Sequence, residues 1–274
     1  MTRSEVRLPV AAGTFYPGEP RTLAAMVDVL LAAADPRPEG PDPVALVAPH
    51  AGYVYSGPIA ATAYTLTAGM TARPSRVAIL GPAHFVPLAG TAVPEAAAWA
   101  TPLGTVEMDR ELRAEAAAHG SAVDDGPHFP DHAIEVQLPF LQRILGDDLL
   151  VLPVAVGESD PEEIASLTQA LADVPGTLIV VSTDLSHHLD QDSARARDDR
   201  TAKAVLDRDP AALSADSACG AHALRGLMTF ARRRNLVFDL LDLRTSADTA
   251  GDPSSVVGYG AFALRKSPGT RPVS

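Results

Sequence analysis

Cysteine and long apolar runs are scarce in this 274-residue chain, and each scarcity excludes a class of protein. A single cysteine, Cys219, cannot form an internal disulfide, so its thiol is either a small buried group or a chemically used one. No run approaches the ~18 apolar residues of a membrane span, and the first residues lack the apolar stretch of a signal peptide. The sequence therefore predicts a cytoplasmic protein without a membrane anchor.

Basic side chains are also few, since 22 lysines and arginines stand against 34 aspartates and glutamates and give a formal net charge of -12. This charge repels phosphate backbones and anionic lipid surfaces, so neither nucleic acid nor a membrane is expected as a partner. Hydrophobic residues at 46% and charged residues at 20% are typical of a folded globular chain. One domain over residues 1–274 is expected, with a frayed tail from about residue 266.

Short apolar runs alternate with segments of helical periodicity along most of the chain. Such runs are typical of strands covered on both faces of a sheet, and they lie at residues 44–48, 76–80, 149–156 and 177–181. Helices are predicted at about 20–36, 57–68, 109–119, 132–144, 160–172, 193–209 and 219–235, with late strands at 236–245 and 255–265. This order predicts a three-layer α/β fold in which helices flank a mostly parallel or mixed central sheet.

Histidine or aspartate follows three of these runs where the predicted strand ends. His50 follows the first run, His84 the second, and Asp184 and His187 follow the run at 177–181. Because the carboxyl ends of parallel strands lie at one edge of a sheet, these side chains are expected to converge. A single histidine after a strand is more often a satisfied structural group than a ligand, so the coincidence of three strand ends is what indicates a site.

Cys219 precedes a segment of helical periodicity, and a thiol in the first turn of a helix is favoured as thiolate by the helix dipole. The alternative is a buried structural thiol. Together with His50 and His84 it predicts a three-ligand metal site with open coordination positions, which is the arrangement of a reactive centre. His222, three residues beyond Cys219, is expected to orient the thiolate or to add a fourth ligand.

Three further residues are predicted to support this site. His132 and Glu135 lie one helical turn apart in "PDHAIEVQLPFL", where they either cap a helix start or hold the second nitrogen of a metal-bound imidazole. Tyr53, close behind His50, either lines the mouth of the pocket or packs in the core.

Five motifs contain these residues: "VAPHAGYVYSGPIAATAY", "ILGPAHFVPL", "DHAIEVQLPFL", "STDLSHH" and "CGAHAL". In this order and at these separations they resemble the Memo family, which includes protein B of the AmmeMemoRadiSam system. The resemblance implies the fold of class III extradiol dioxygenases. It also implies a metal pocket of His50, His84 and Cys219, with Asp184 and His187 where those dioxygenases keep their acid/base histidine.

The resemblance leaves two kinds of function open. The first is a metal-dependent redox or dioxygenase-like enzyme with non-haem Fe(II) or Cu, or else Zn, in which His187 moves protons and Asp184 orients it. The second is a pocket that holds a small molecule or peptide without turnover, in a system with radical SAM and AMMECR-type partners. The family's "CG" motif often continues with Arg, whereas this chain has Ala221, so an anion held by that Arg is not expected. A hydrolase built from "STDLSHH" is disfavoured because no G-x-S-x-G elbow accompanies these residues.

Overall fold

The computed structural model describes residues 5–34, 40–146 and 148–267. Its helices are α1 Pro20–Ala33, α2 Tyr53–Ala68, α3 Arg110–Ala118, α4 Leu138–Leu145, α5 Pro161–Asp173, α6 Gln191–Asp207 and α7 Ala221–Arg233. Its strands are β1 Val6–Arg7, β2 Ala45–Ala48, β3 Arg76–Pro82, β4 Thr91–Val93, β5 Ala98–Thr101, β6 Gly104–Met108, β7 Ala122–Val123, β8 Leu150–Val156, β9 Thr177–Ser182, β10 His187–Leu189, β11 Leu236–Thr245 and β12 Val256–Lys266. Of the tail expected to fray from about residue 266, Lys266 is the last residue of β12, and the residues beyond 267 lie outside the described ranges.

Four parallel strands form the centre of the sheet, in the order β8, β3, β9, β2. Antiparallel strands extend it on the β2 side, where β12 pairs with β2 and with β11. On the other side β6 pairs parallel with β8 and antiparallel with β5. The predicted mixed sheet is therefore confirmed, and its parallel part lies at its centre.

Helices cover both faces of this sheet, because successive residues of a strand point to opposite sides. Leu46 and Ile79 pack on one face into a core with α1, α2 and α4. Val47 and Leu80 pack on the other face with α3, α5, α6 and α7. Among the described residues, no helix has the length and apolar character needed to cross a membrane.

The helix expected over residues 132–144 is interrupted near its start. The structure has a 3-10 turn over Glu135–Gln137, and α4 begins only at Leu138. Pro139 lacks the N–H that would bond to the carbonyl of Glu135, and that carbonyl instead accepts the N–H of Leu138 in the tighter 3-10 pattern. The prediction of one continuous helix was wrong at this point, which changes where His132 and Glu135 point.

The register of the parallel strands brings their carboxyl ends to the same edge. Ala48 at the end of β2 lies beside Ser182 at the end of β9, and β3 runs parallel to β9 on its other side. His50, His84 and Asp184 each lie two residues beyond the end of one of these strands. The edge expected from the sequence is therefore where the polar side chains lie.

Candidate metal centre

Three predicted ligands meet at this edge. One ligand atom from each of His50, His84 and Cys219 lies within 4.8 Å of the others. Cys219 comes just before Gly220, the N-cap of α7, and its backbone N–H bonds to the carbonyl of Asp184 at 3.2 Å. That bond ties the start of α7 to the end of β9 and holds the thiol against the histidines.

His50 is buried at the centre of the cluster, with 2% of its surface exposed. Its ring nitrogen Nε2 lies 3.2 Å from the Cys219 sulfur, and Nδ1 lies 3.0 Å from the hydroxyl of Ser182. Its backbone N–H donates to the Asp184 carboxylate at 2.7 Å. Burial, assisted by the nearby His84, lowers the pKa of His50 well below its ordinary value, so the ring is neutral.

His84 is held by a carboxylate that was not among the predicted site residues. Asp131 accepts the backbone N–H of His84 at 2.7 Å and lies 3.1 Å from its ring Nδ1. Burial opposes ionisation of Asp131, but hydrogen bonds from His84 and Ala133 outweigh it and keep the pKa of this carboxyl below its ordinary value. Asp131 thus has the role predicted for Glu135, and its place directly before His132 in the "PDHAIEV" motif was the available signal.

The Cys219 thiol is protonated in the metal-free protein. Burial, together with the charge of Asp184, raises its pKa to about 12, although the N–H of Asp184 donates to the sulfur at 3.2 Å. The expectation that a helix dipole favours thiolate here was wrong, because Cys219 precedes the N-cap and desolvation dominates. A metal at this site would have to displace the thiol proton.

His132 lies beside the three ligands in a stack of rings. Its ring packs on Phe15 with centroids 4.0 Å apart and on His84 with centroids 5.3 Å apart. His84, Asp131 and His132 form a second group whose ligand atoms lie within 4.8 Å of one another. Burial lowers the pKa of His132 to about 4, so at physiological pH a neutral ring lies beside His84.

Glu135 faces away from the ligands and anchors the N-terminal segment. Its carboxylate is fully buried, pairs with Arg7 at 2.6 Å, and accepts the hydroxyl of Tyr16 at 2.6 Å. The backbone N–H groups of Val10 and Ala11 complete its partners at 2.8 and 2.9 Å. The prediction that Glu135 supports a metal-bound imidazole was therefore wrong. Its carboxylate binds residues of the segment 7–16 instead.

Asp184 and His187 lie close in sequence but have separate partners. The Asp184 carboxylate accepts backbone N–H groups of His50 and Ala51, and burial raises its pKa to about 7. His187 is exposed, and its Nδ1 lies 2.9 Å from the carbonyl of Leu185. Within the described residues the predicted orientation of His187 by Asp184 does not appear. The carboxylate instead shapes the backbone at His50.

Two other predicted residues have structural surroundings. His222 is directed to the backbone of Ser159, with Nδ1 3.1 Å from its carbonyl oxygen. Tyr53 is buried, and its hydroxyl donates to the carbonyl of Val136 at 2.6 Å. His222 therefore links α7 to the segment before α5, and Tyr53 packs in the core rather than at the pocket mouth.

The donor set fits a transition metal. Two imidazoles and a thiol converge, and the Nδ1 atoms of both histidines are engaged by Ser182 and Asp131, which leaves their Nε2 atoms for a metal. A mixed nitrogen and sulfur set suits Zn, Cu or Fe better than Mg or Ca. Three protein ligands leave room for a further molecule.

Comparison with known proteins agrees with the motifs. The profile of a family described as Memo-like protein matches residues 7–263. A MEMO1 family protein of Nitrosopumilus maritimus is 34% identical over 273 residues, covering 94% of this chain and 98% of that protein. MEMO1 family proteins of Methanopyrus kandleri, at 33% identity with 95% and 99% covered, and of Thermotoga petrophila, at 35% with 92% and 97% covered, are similar over almost their whole lengths. This chain belongs to the Memo-like protein family.

Proposed function

We propose that this protein is a metal-dependent oxidoreductase whose metal is held by His50, His84 and Cys219. The observation that carries the proposal is the convergence of three ligand atoms within 4.8 Å, from three segments far apart in sequence. A bound metal would supply Lewis acidity, or redox chemistry in the case of iron or copper, at an open coordination position. The net charge of -12 favours a small molecule or a peptide, rather than nucleic acid, as the ligand of this site. We also propose a cytoplasmic location.

Fe(II) or Cu suits the proposed activity best. A thiolate makes the site softer than one with a carboxylate, which favours Cu or thiolate-bound Fe, while Zn fits the donors but has no redox chemistry. We also propose that the α/β fold is that of class III extradiol dioxygenases, since a parallel sheet edge with convergent histidines is the arrangement that the resemblance implies. The thiolate in place of a carboxylate argues for chemistry other than ring cleavage.

His187 is the proposed proton carrier. Its Nδ1 is directed to the carbonyl of Leu185, so Nδ1 carries the hydrogen and Nε2 is left as the proton acceptor. Burial of part of the ring lowers the pKa of His187, so the ring is neutral and ready to accept a proton. Asp184 does not contact His187 in this proposal. Its carboxylate accepts the backbone N–H of His50 at 2.7 Å and so holds the backbone of that ligand.

Metal analysis after purification without oxygen tests the metal site. We expect Fe or Cu in the wild type and loss of the metal in His50→Ala and Cys219→Ser, while His119→Ala retains it because His119 pairs with Glu115 at the surface. Oxygen consumption with catechol-type and thiol substrates should then follow metal content. The proposal would be wrong if the wild type bound no metal and His50→Ala had the same thermal stability as the wild type.

A second outcome leads to a different function. If the metal is bound but no substrate is turned over, and pocket variants lose binding to radical SAM or AMMECR-type partners in pull-down experiments, the protein is a binding module. The His119→Ala variant should retain partner binding in that experiment. The two functions are thus separated by turnover and not by metal content.

A further inference from the structure

We propose that a buried chain of hydrogen bonds, from Tyr64 through Gln137 to Ser182, fixes the neutral ring of His50 in the tautomer protonated at Nδ1. These three side chains would then be positioning residues that keep Nε2 of His50 open toward Cys219. The consequence for metal binding rests on the proposed function, but the tautomer itself is a property of the metal-free protein.

The orientation of the Gln137 side-chain amide starts the argument. Gln137 is fully buried, and its Nε2 lies 3.0 Å from the carbonyl oxygen of Pro49 and 2.7 Å from the Ser182 hydroxyl. Its Oε1 accepts the hydroxyl of Tyr64 at 2.7 Å. A flipped amide would place two acceptors against each other at Pro49, so the amide nitrogen must lie on that side. Both amide hydrogens are therefore used, one of them on Ser182.

The Ser182 hydroxyl comes next. It has one hydrogen, and it lies 2.6 Å from the carbonyl oxygen of Ala133, which can only accept. Because that hydrogen is donated to Ala133, the Ser182 oxygen has to accept from its other two neighbours. One of them is the Gln137 amide, and the other is Nδ1 of His50 at 3.0 Å. Nδ1 of His50 must therefore carry a hydrogen.

A neutral imidazole has one N–H, so a hydrogen on Nδ1 leaves a lone pair on Nε2. His50 is 2% exposed, and its two ring nitrogens lie against a serine hydroxyl and a cysteine sulfur rather than a carboxylate, so the neutral ring is the form that fits this site. Nε2 lies 3.2 Å from the sulfur of Cys219, and a thiol in its protonated form can donate to that lone pair. The contact with Cys219 thus agrees with the tautomer derived from the opposite side of the ring.

The two histidines of the site are positioned by partners of different charge. Asp131 holds Nδ1 of His84 with a carboxylate, whereas Ser182 holds Nδ1 of His50 with a neutral hydroxyl. The Tyr64, Gln137 and Ser182 chain therefore selects the ligating nitrogen of His50 without adding a negative charge. Loss of such a partner typically weakens metal binding about 10–100-fold.

Nuclear magnetic resonance of the full-length metal-free protein, labelled with 15N in histidine, tests the tautomer directly. The His50 ring, assigned by its disappearance in His50→Ala, should show a protonated Nδ1 and an unprotonated Nε2. Ser182→Ala should move the ring toward the other tautomer or to a mixture, whereas Ser182→Thr, which keeps a hydroxyl, should retain the wild-type pattern. Ser121→Ala is the matched control, because Ser121 is also buried and bonded, to Thr91 at 2.7 Å, but belongs to another part of the fold.

The affinity for Co(II), followed through its sulfur charge-transfer absorption, tests the consequence. Ser182→Ala should bind Co(II) about 10–100-fold more weakly than the wild type, and Ser121→Ala should bind it equally well. A protonated Nε2 in the wild type would overturn the tautomer even if metal binds. Equal Co(II) affinity in Ser182→Ala and wild type would overturn the positioning role. If Ser182→Ala fails to fold, the spectrum of the wild type still decides the tautomer. Gln137→Met then takes the place of Ser182→Ala in the Co(II) titration.

Discussion

Two polar clusters lie close together in this protein, a buried one around Glu135 and a partly exposed one of His50, His84 and Cys219, and they differ in whether their donors and acceptors are already paired. In the first, Glu135 binds Arg7, Tyr16 and two backbone N–H groups, and the guanidinium of Arg7 also donates to the carbonyls of His128 and Asp131. In the second, His50, His84 and Cys219 turn ligand atoms toward one another. A cluster whose groups are all paired internally stabilises the fold, whereas one whose lone pairs converge is equipped to hold something else.

The carboxylates that serve the two clusters are chemically alike. Both clusters draw on the same short stretch, since Asp131 supports His84 while Glu135, four residues later, binds the N-terminal segment. What separates them is that α4 begins only at Leu138, so Asp131 and Glu135 do not share the face of one helix and reach different neighbours. Burial and charge alone would therefore misidentify Glu135 as part of the site.

The largest expected effect is on stability, at the internally paired cluster around Glu135. Glu135→Gln leaves the Arg7 charge buried without its partner, so we expect the free energy of unfolding to fall by about 3–5 kcal/mol in a denaturant titration. The control is Asp28→Asn, which breaks the exposed pair with Arg143 and should change that free energy by at most about 1 kcal/mol. Equal effects of the two substitutions would contradict a structural role for Glu135.

The next effect separates Asp131 from Glu135. Asp131→Asn replaces one acceptor oxygen by a donor facing an N–H of His84, so Co(II) affinity should fall about 10–100-fold, as measured by spectroscopic titration. Asp125→Asn is the matched control, because Asp125 accepts backbone N–H groups of Glu95 and Ala96 and contacts no ligand histidine in the described structure. An unchanged affinity in Asp131→Asn would remove Asp131 from the site.

Asp198 is a buried carboxylate with a third kind of partner. It accepts the backbone N–H and the hydroxyl of Ser186 at 3.0 Å each, whereas Glu135 pairs with an arginine. Burial raises its pKa to about 6, above the ordinary value that the unfolded chain keeps. The unfolded chain therefore releases this proton first as pH rises, and the ionised carboxylate destabilises the folded state. Between pH 4 and pH 6 the stability of Asp198→Asn relative to wild type should increase, as followed by denaturant titration. A difference that stays constant across this range would show that Asp198 does not titrate there.

The smallest effect is expected at His222. His222→Ala removes its contact with the backbone of Ser159, so we expect a loss of about 1 kcal/mol in unfolding free energy and no change in Co(II) affinity. Cys219→Ser provides the comparison in which Co(II) affinity is lost. Weaker Co(II) binding by His222→Ala would return His222 to the metal centre as an orienting residue.

Much of the fold followed from local patterns. The apolar runs predicted β2, β3, β8 and β9 to within two residues, and helical periodicity placed α3, α5, α6 and α7 equally closely. The short strands β4, β5 and β6, with the sequences TAV, AWAT and GTVEM, were missed because they are shorter or more polar than the central strands. Helix α2 begins at Tyr53, four residues before the predicted start at residue 57. Pro58 lies inside this helix rather than at its first turn.

The sequence by itself determined the family through its motifs and the layered α/β fold through periodicity, and the common edge of parallel strands predicted that His50 and His84 converge. Only the tertiary structure decided the hydrogen-bond partners of these groups, such as Asp131 for His84 and Ser182 for His50. It also decided the protonation of Cys219. Partners and pKa values depend on which side chains meet across separations of 47 to 169 residues and on how completely water is excluded, and neither is encoded in local spacing.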